Sequence, residues 1–341
     1  MHEHLTTIAA IVLAAGKGTR MKSELPKVLH KVCGTPMIGR VLKTLRSVGL
    51  DKFCVVVGGD IPRLEAYMDT LDIPLTLTAQ TERLGTGEAV ACAGFGFADT
   101  AVPTFARGHF LQGNAIKSDY VLICAGDTPA LKANILSEFL SYCKLNQSLL
   151  AVLAMDHPQP FGYGRIIQDS NGQLTGIVEE KDANPDQRRV TLCNSGVIFA
   201  NRKHLFDLLA KLKPLNAQGE YYLTDCFELS KAAGKPAHVF VSKDFSSFDG
   251  VNNREQLVHI ETKLQTEQKL KWMQAGVTFR LPDSTYIEDS VQFGADCEIG
   301  PQCTLLGTTT IGEGSEIGSH VVLKDVNIPP GTVVPAGTVR V

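Results

Sequence analysis

Two cations, Arg20 and Lys27, stand in a glycine-rich stretch, Leu13-Ala-Ala-Gly-Lys-Gly-Thr-Arg-Met21, followed by Leu25-Pro-Lys-Val-Leu-His30. Glycines in such a loop let backbone N–H groups close on phosphate oxygens without interference from a Cβ. The Arg20 guanidinium can fork onto those oxygens, and Lys27, after the rigid Pro26, provides a compact second charge. The chemistry suited to that set is phosphate binding with stabilisation of developing charge. Gly16 and Gly18 alone are weak evidence, because Gly-x-Gly loops are common. Either cation alone is more simply a solvated surface charge beside a turn. The complete string outweighs that reading. Two neighbouring motifs are excluded: the dinucleotide fingerprint needs a third glycine where Met21 stands, and the P-loop needs Gly-Lys-Ser/Thr after four intervening residues.

The elements that must hold this loop follow from the patterning around it. A continuous apolar run over residues 8–13 leads into Gly16, as a buried parallel strand does. Thr35-Pro36 reads as a helix N-cap with proline at the first helical position, and Met37, Val41, Leu42 and Leu45 supply that helix's apolar stripe. Residues 53–57 form a second buried strand, closed by Gly58-Gly59. Residues 120–124 form another, ending at Ala125-Gly-Asp127, with a helical pattern over 131–145 and one more strand over 149–155. Strands alternating with helices imply an α/β fold with a Rossmann-like, mainly parallel sheet and ligands at the carboxyl ends of its strands.

Beyond residue 251 the character changes twice. Residues 252–276 are charged and helix-favouring, with Leu257, Ile260, Leu264 and Leu270 near helical spacing, and read as a connecting arm. Then Phe293, Ile299, Leu305, Ile311, Ile317 and Leu323 recur every sixth residue, and Gly294, Gly300, Gly312 and Gly318 each follow one of them. That period is the mark of a short β-helix built from hexapeptides. Cys297 and Cys303 fall in a second six-step series with Val291, Thr309, Ser315 and Val321, and are expected to pack inside. The regular run covers about two coils, and the tail through Val333 and Val339 is expected to add part of a third. The expected organisation is an α/β domain over 1–251, a helical linker arm over 252–283 and a short left-handed β-helix over 284–341. So short a solenoid cannot protect both its ends, so a homo-oligomer through the β-helix is expected, with a trimer as the candidate stoichiometry.

Composition sets the outer limits. The chain has 341 residues, 44% hydrophobic and 20% charged, with a net charge of −3. This is an ordinary globular balance, with no basic field for nucleic acid or an anionic membrane. No apolar stretch approaches the roughly 20 residues of a membrane helix, and the N-terminus lacks the regions of a signal peptide. The nine cysteines include no Cys-x-x-Cys pair, which points to reduced thiols in a cytoplasmic protein rather than a zinc site or disulfide framework.

The glycine-rich string resembles the signature of the sugar-1-phosphate nucleotidyltransferases, and in detail the uridyltransferase half of the bacterial bifunctional uridyltransferase/acetyltransferases. The resemblance continues in order through Gln80, Leu84-Gly-Thr-Gly-Glu88, Ala125-Gly-Asp-Thr-Pro129, Gly162-Tyr-Gly-Arg-Ile166 and Gly176-Ile-Val-Glu-Glu-Lys-Asp182. Further matches are Asn194-Ser-Gly196, Gly219-Glu-Tyr-Tyr-Leu-Thr-Asp225 and Gly250-Val-Asn-Asn-Arg254. It implies that Leu13, Ala14 and Gly16 touch the nucleotide, with Arg20 and Lys27 at the phosphates. Gln80 and Gly85 would read the uracil edge, with Thr86 beside them. Asp127 and Asn252 would hold Mg²⁺ through hard oxygen ligands. Gly164, Glu179 and Asn194 would surround the sugar. Taken singly, each is as well explained by a turn, a cap or an exposed charge; the constellation carries the functional reading. The implied partners are small molecules, UTP and N-acetylglucosamine 1-phosphate, with no nucleic acid and no membrane insertion.

Three departures from the family stand out. The segment 98–118 is longer than expected before the Gly-Asp strand, and is read as a lid, a partner surface or a tolerated excursion, the last by default. Ala125 stands where the bifunctional relatives often carry a bulkier aromatic. The β-helix is short, and the family's acetyltransferase site lies deep in a longer one, so no acetyl-CoA chemistry is expected. Competing readings are a related nucleotidyltransferase with another sugar phosphate or base, a hexapeptide acyltransferase with an accessory domain, and a sensor that binds nucleotide sugar without turnover.

Overall fold

The computed structural model describes residues 7–341. The chain divides into two compact units, one comprising the chain to Leu29 with Ile38–Gly250, the other His30–Met37 with Val251–Val341.

Ten strands of the first unit form one sheet. Ile8–Ala14 runs parallel to Phe53–Val57 on one side and Tyr120–Ala125 on the other, and Leu75–Gln80 extends the parallel part. Leu192–Asn201 runs antiparallel to both Tyr120–Ala125 and Leu150–Asp156. The hairpin of Arg165–Gln168 and Leu174–Val178 closes that end. The central strands are apolar throughout because both faces are covered. Ile11, Val56 and Ile123 face a core shared with the helices Thr86–Ala93, Arg202–Leu209 and Asp225–Ala232. Their neighbours Val12, Val55 and Leu122 face a second core against Met37–Ser47 and Ala133–Leu145.

The expected strands form close to their expected limits. The segment 98–118 is more ordered than a tolerated excursion: it contributes an edge strand, Gly108–Gln112, antiparallel to Leu75–Gln80. His109 and Phe110 are both exposed on that edge, which hides the strand from an apolar-periodicity search.

In the second unit, Thr35-Pro36 is not a helix start. It pairs with Lys31–Val32 in a small hairpin, and the helix begins at Met37. The turn explains it: Cys33 and Gly34 both take positive φ, 48° and 81°, as a two-residue hairpin loop demands. The arm helix spans Arg254–Gln274 and is capped by Asn253, whose side chain accepts from the Gln256 N–H at 2.8 Å. Leu257, Ile260 and Leu264 are buried as expected, but Leu270 is half-exposed. Six residues past Leu264 is about 600° of rotation, which carries Leu270 off the buried stripe. Polar residues fill the stripe instead: Gln265 pairs with both the N–H and the carbonyl of Ile287, and Lys269 donates to the carbonyls of Pro282 and Thr285 at 2.6 and 2.7 Å.

The C-terminal strands stack as a left-handed β-helix of three parallel sheets, one of them running Thr278–Phe279, Glu298–Ile299, Glu316–Ile317 and Val333–Val334. Cys297 and Cys303 lie in its core as expected, beside Phe293, Ile299, Leu305, Ile311, Ile317 and Leu323. The tail also stacks, through Val333–Val334 and Val339–Arg340, with Val333 and Val339 exposed while Ile328 and Val334 point inward. The step from Leu323 to the next core residue, Ile328, is five residues rather than six, and every later position changes face.

Candidate functional site

The strand Ile8–Ala14 delivers the chain to the glycine-rich loop, where Leu13 is half-buried, Ala14 buried and Gly16 exposed. Gly18 takes φ 60°, and a Cβ there would come 2.7 Å from the Cβ of Lys27, so the loop closes over the lysine stem only with glycine at this place. A single 3₁₀ turn, Thr19–Met21, follows; Met21 anchors it in the core and Arg20 points its exposed side chain from it. Lys27 reaches across to the adjacent strand end and lies on the Asp127 carboxylate. The Gly126 N–H donates to the Leu13 carbonyl at 2.9 Å, which ties the Asp127 turn to the start of the loop. The expected phosphate cation and the expected metal ligand are thus brought together, as each other's counter-ion.

Magnesium takes hard oxygen ligands, keeps several waters, and is commonly held by one or two carboxylates plus substrate phosphates. Asp127 offers one carboxylate of that type. Among the described residues no group of three or more His, Cys, Asp or Glu lies together as a metal cage. Asn252 lies in the second unit, just before the arm helix, and its backbone N–H donates to Gln256 at 2.8 Å.

Gln80 ends its strand and is almost buried. Its Nε2 donates to the Gly85 carbonyl at 3.4 Å and to the Glu88 carboxylate. Gly85 takes φ 114°, and a Cβ there would stand 2.5 Å from the Tyr221 carbonyl oxygen. This close approach is zippered: the Tyr221 N–H donates to the Leu84 carbonyl at 2.6 Å, the Gly87 N–H to the Tyr221 carbonyl at 2.7 Å, and the Leu223 N–H to Thr86 Oγ1 at 3.1 Å. Thr86 is thereby committed to bracing the segment.

Gly164, Glu179 and Asn194 are also gathered. The Asn194 N–H donates to the Gly164 carbonyl at 2.9 Å, and Gly164 lies against the Glu179 carboxylate. Asn194 sits where Leu192–Asn201 slips register against its neighbour, and its Oδ1 accepts from the Gly196 N–H at 2.9 Å. Glu179 accepts from Thr224 Oγ1 at 3.0 Å, and burial raises its carboxyl above the usual range. Beside it, burial followed by the charges of Glu228, Glu179 and Asp182 pushes Asp225 up to about 6.

Sequence reasoning passed over Arg83 and the role of Glu88. Arg83 donates from Nε to the Ala15 carbonyl at 2.9 Å, adding a third cation against the glycine-rich loop. Its place between Gln80 and the Leu-Gly-Thr-Gly string was the available signal.

Comparison with known proteins agrees with this fold. Residues 10–218 match the model of the MobA-like NTP transferase domain, and residues 290–325 that of the bacterial transferase hexapeptide (six repeats). The chain is 37% identical to the bifunctional protein GlmU of Trichlorobacter lovleyi over 97% of its own length and 68% of the relative's. For the protein of the same name from Alkalilimnicola ehrlichii the identity is 38%, covering 97% and 67%. For that of Streptococcus agalactiae serotype V it is 37%, covering 94% and 65%. The chain therefore spans about two thirds of the length of these relatives. Among the described residues no helix is long and apolar enough to cross a membrane. With a sugar-phosphate nucleotidyltransferase signature on the sheet and hexapeptide repeats behind it, the chain belongs to the family of MobA-like NTP transferases.

Proposed function

We propose that the protein transfers a uridylyl group from UTP to N-acetylglucosamine 1-phosphate, giving UDP-N-acetylglucosamine and pyrophosphate. The observation that carries this reading is the Lys27–Asp127 pair closed under the glycine-rich loop, with the Gln80–Gly85 segment and the Gly164–Glu179–Asn194 group built on the same sheet. A phosphate oxygen of the sugar phosphate attacks the α-phosphorus in line. One P–O bond forms as the bond to the β-phosphate oxygen breaks, and the electron pair leaves with pyrophosphate. Phosphate oxygens are already nucleophilic near neutral pH, so positioning and charge stabilisation supply the catalysis. Arg20 and Lys27 neutralise the triphosphate, Leu13, Ala14 and Gly16 line the nucleotide, and Gln80, Gly85 and Thr86 form the base segment. Gly164, Asn194 and Glu179 form the sugar side, with Glu179 accepting from hydroxyls. Magnesium, for which Asp127 and Asn252 are the proposed ligands, would supply Lewis-acid stabilisation of the phosphate oxygens when bound. The nine free, buried thiols support a cytoplasmic setting, and self-association through the hexapeptide coil, up to a trimer, belongs to the same proposal.

The test is pyrophosphate release with Mg²⁺, crossing UTP, CTP, GTP and dTTP against N-acetylglucosamine, glucosamine and glucose 1-phosphates. Selection of UTP with N-acetylglucosamine 1-phosphate is the expected result. Turnover with another pair would keep the mechanism and move the substrate. Nucleotide-sugar binding without turnover by any pair would overturn the catalytic reading in favour of a sensor.

A further inference from the structure

One buried charge has no part in that mechanism. Glu88, in the first turn of the helix Thr86–Ala93, is wholly inaccessible to solvent. Three donors converge on its carboxylate: the Gln80 amide on Oε2, and on Oε1 the Arg107 backbone N–H at 2.7 Å and the Cys92 thiol at 3.0 Å. Burial, then the neighbouring Glu88, holds the Cys92 thiol well above its usual range, so the sulfur keeps its proton and donates. With donors on both oxygens, Glu88 acts purely as an acceptor. A buried carboxylate persists only when compensated in this way, and a satisfied core charge would be the plain account of it.

The identity of the first donor takes the matter further. A glutamine amide has a donor end and an acceptor end of nearly equal size, and an acceptor-only neighbour fixes which end turns inward. Gln80 gives its nitrogen to Glu88 and Gly85. Its Oε1 accepts from no described residue and is not sealed from solvent. We propose that Glu88 is a positioning residue that sets base specificity by holding Gln80 with its oxygen outward. The site then accepts a base with an imide N–H, as uracil and thymine have, and disfavours cytosine, whose N3 is itself an acceptor. The inference rests on the reading that Gln80 meets the base edge.

It also gives the segment 98–118 a task. That segment supplies the Arg107 N–H, whose own carbonyl accepts from the Thr81 N–H at 2.7 Å, and its strand pairs Gly108 with Gln80. Phe105 stacks on Tyr221 with ring centroids 4.0 Å apart, over the peptide that zippers Gly85 in place. The inserted segment thus closes Glu88 from water and fixes the strand end that presents Gln80.

The test uses the full chain and Glu88→Gln. In this isosteric variant the new amide oxygen stays with the Arg107 N–H and its nitrogen faces Gln80, so Gln80 is driven to turn its own nitrogen outward. Steady-state kinetics with UTP and CTP should show KM for UTP rising about tenfold, one hydrogen bond's worth, while kcat/KM for CTP rises in absolute terms and kcat changes little. A gain with CTP is a change of sign that mere loosening of the fold would not produce. In a Gln80→Ala background, Glu88→Gln should leave the UTP-to-CTP ratio unmoved. An unchanged ratio in Glu88→Gln, or the same change in both backgrounds, overturns the inference. Should Glu88→Gln not fold, Glu88→Met, which removes the buried charge, must lower the UTP preference by about tenfold; retention of that preference overturns it equally. Gln80→Ala alone separates the two levels: loss of UTP preference there with none in Glu88→Gln sinks only the role of Glu88. Full preference retained in Gln80→Ala sinks the reading of the base edge itself, and the role of Glu88 with it.

Discussion

The sheet-end loops of the first unit and the stacked coil of the second solve opposite problems. In the coil, a side chain's fate follows from its place in a short repeat: Ile311, Ile317 and Leu323 are buried because each fills the same position on successive flat sides. Around the loops nothing repeats. Lys27 meets Asp127 across a hundred residues of chain, and Thr86 braces Leu223 across more. The contrast separates two kinds of information. Repetition specifies packing through apolar periodicity, whereas the site is specified by individual polar contacts, each of which is satisfied once.

The largest effect that this contrast predicts is at the strand end. Asp127→Ala should lower turnover by about a hundredfold or more, the scale of losing one charge-stabilising group. The melting temperature should fall as well, because the nearly buried Lys27 loses its counter-ion, but the apolar sheet beneath is untouched and the protein should still fold. Pyrophosphate release and thermal unfolding of the same preparation read both quantities. Near-parental activity would remove Asp127 from the proposed metal site. Ile299→Ala should do the reverse. A fully buried coil residue loses about 3 kcal/mol on truncation, visible in denaturant unfolding, while the chemical step per folded molecule is retained.

How far each region could be read from sequence follows the same division. The parallel strands were legible because burial on both faces demands unbroken apolar runs, and the coil because its period is explicit over 291–323. Legibility ended where a single residue is missing between Leu323 and Ile328, since a strict step of six then points at the wrong face. The Thr35-Pro36 hairpin was misread because proline after threonine suits a helix start as well as a strand end, and the deciding signal was the positive-φ turn at Cys33-Gly34. Of the candidate site, the glycine-rich loop and its cations were visible as one local string. The grouping of Gly164, Glu179 and Asn194 rested on family resemblance, because no local pattern brings a hairpin and a bulged strand together.

The register break gives a sharper, mid-sized test. Val334 is buried in the last strand of its stacked sheet and its neighbour Val333 is exposed. Val334→Asp places an uncompensated charge in the core and should cost about 3 kcal/mol. Val333→Asp should fall within about 0.5 kcal/mol of the parent, as surface changes do. Equal effects in urea unfolding would contradict the five-residue step.

The smallest expected effect lies back beside the sugar group, where polar residues crowd instead of repeating. Asp225 starts the helix Asp225–Ala232 partly buried, and burial, with Glu228, Glu179 and Asp182 around it, raises its carboxyl from 3.8 to about 6. The folded protein therefore keeps this proton over a range in which the unfolded chain has released it. More protons bound in the folded state means that stability falls as pH rises from about 4 through about 6. Asp225→Asn removes that dependence. Below pH 4 both proteins carry a neutral side chain and should melt together. Above pH 6 the variant should melt higher by a margin of about a few degrees, kept small because the group is half open to solvent. A gap that is constant across pH, or one that favours the parent at pH 8, would show that the three neighbouring carboxylates do not press on Asp225 as their placement requires. A gap that opens between pH 4 and 6 would mean that the site holds an electrostatic strain the coil, with its apolar interior, has no means to store.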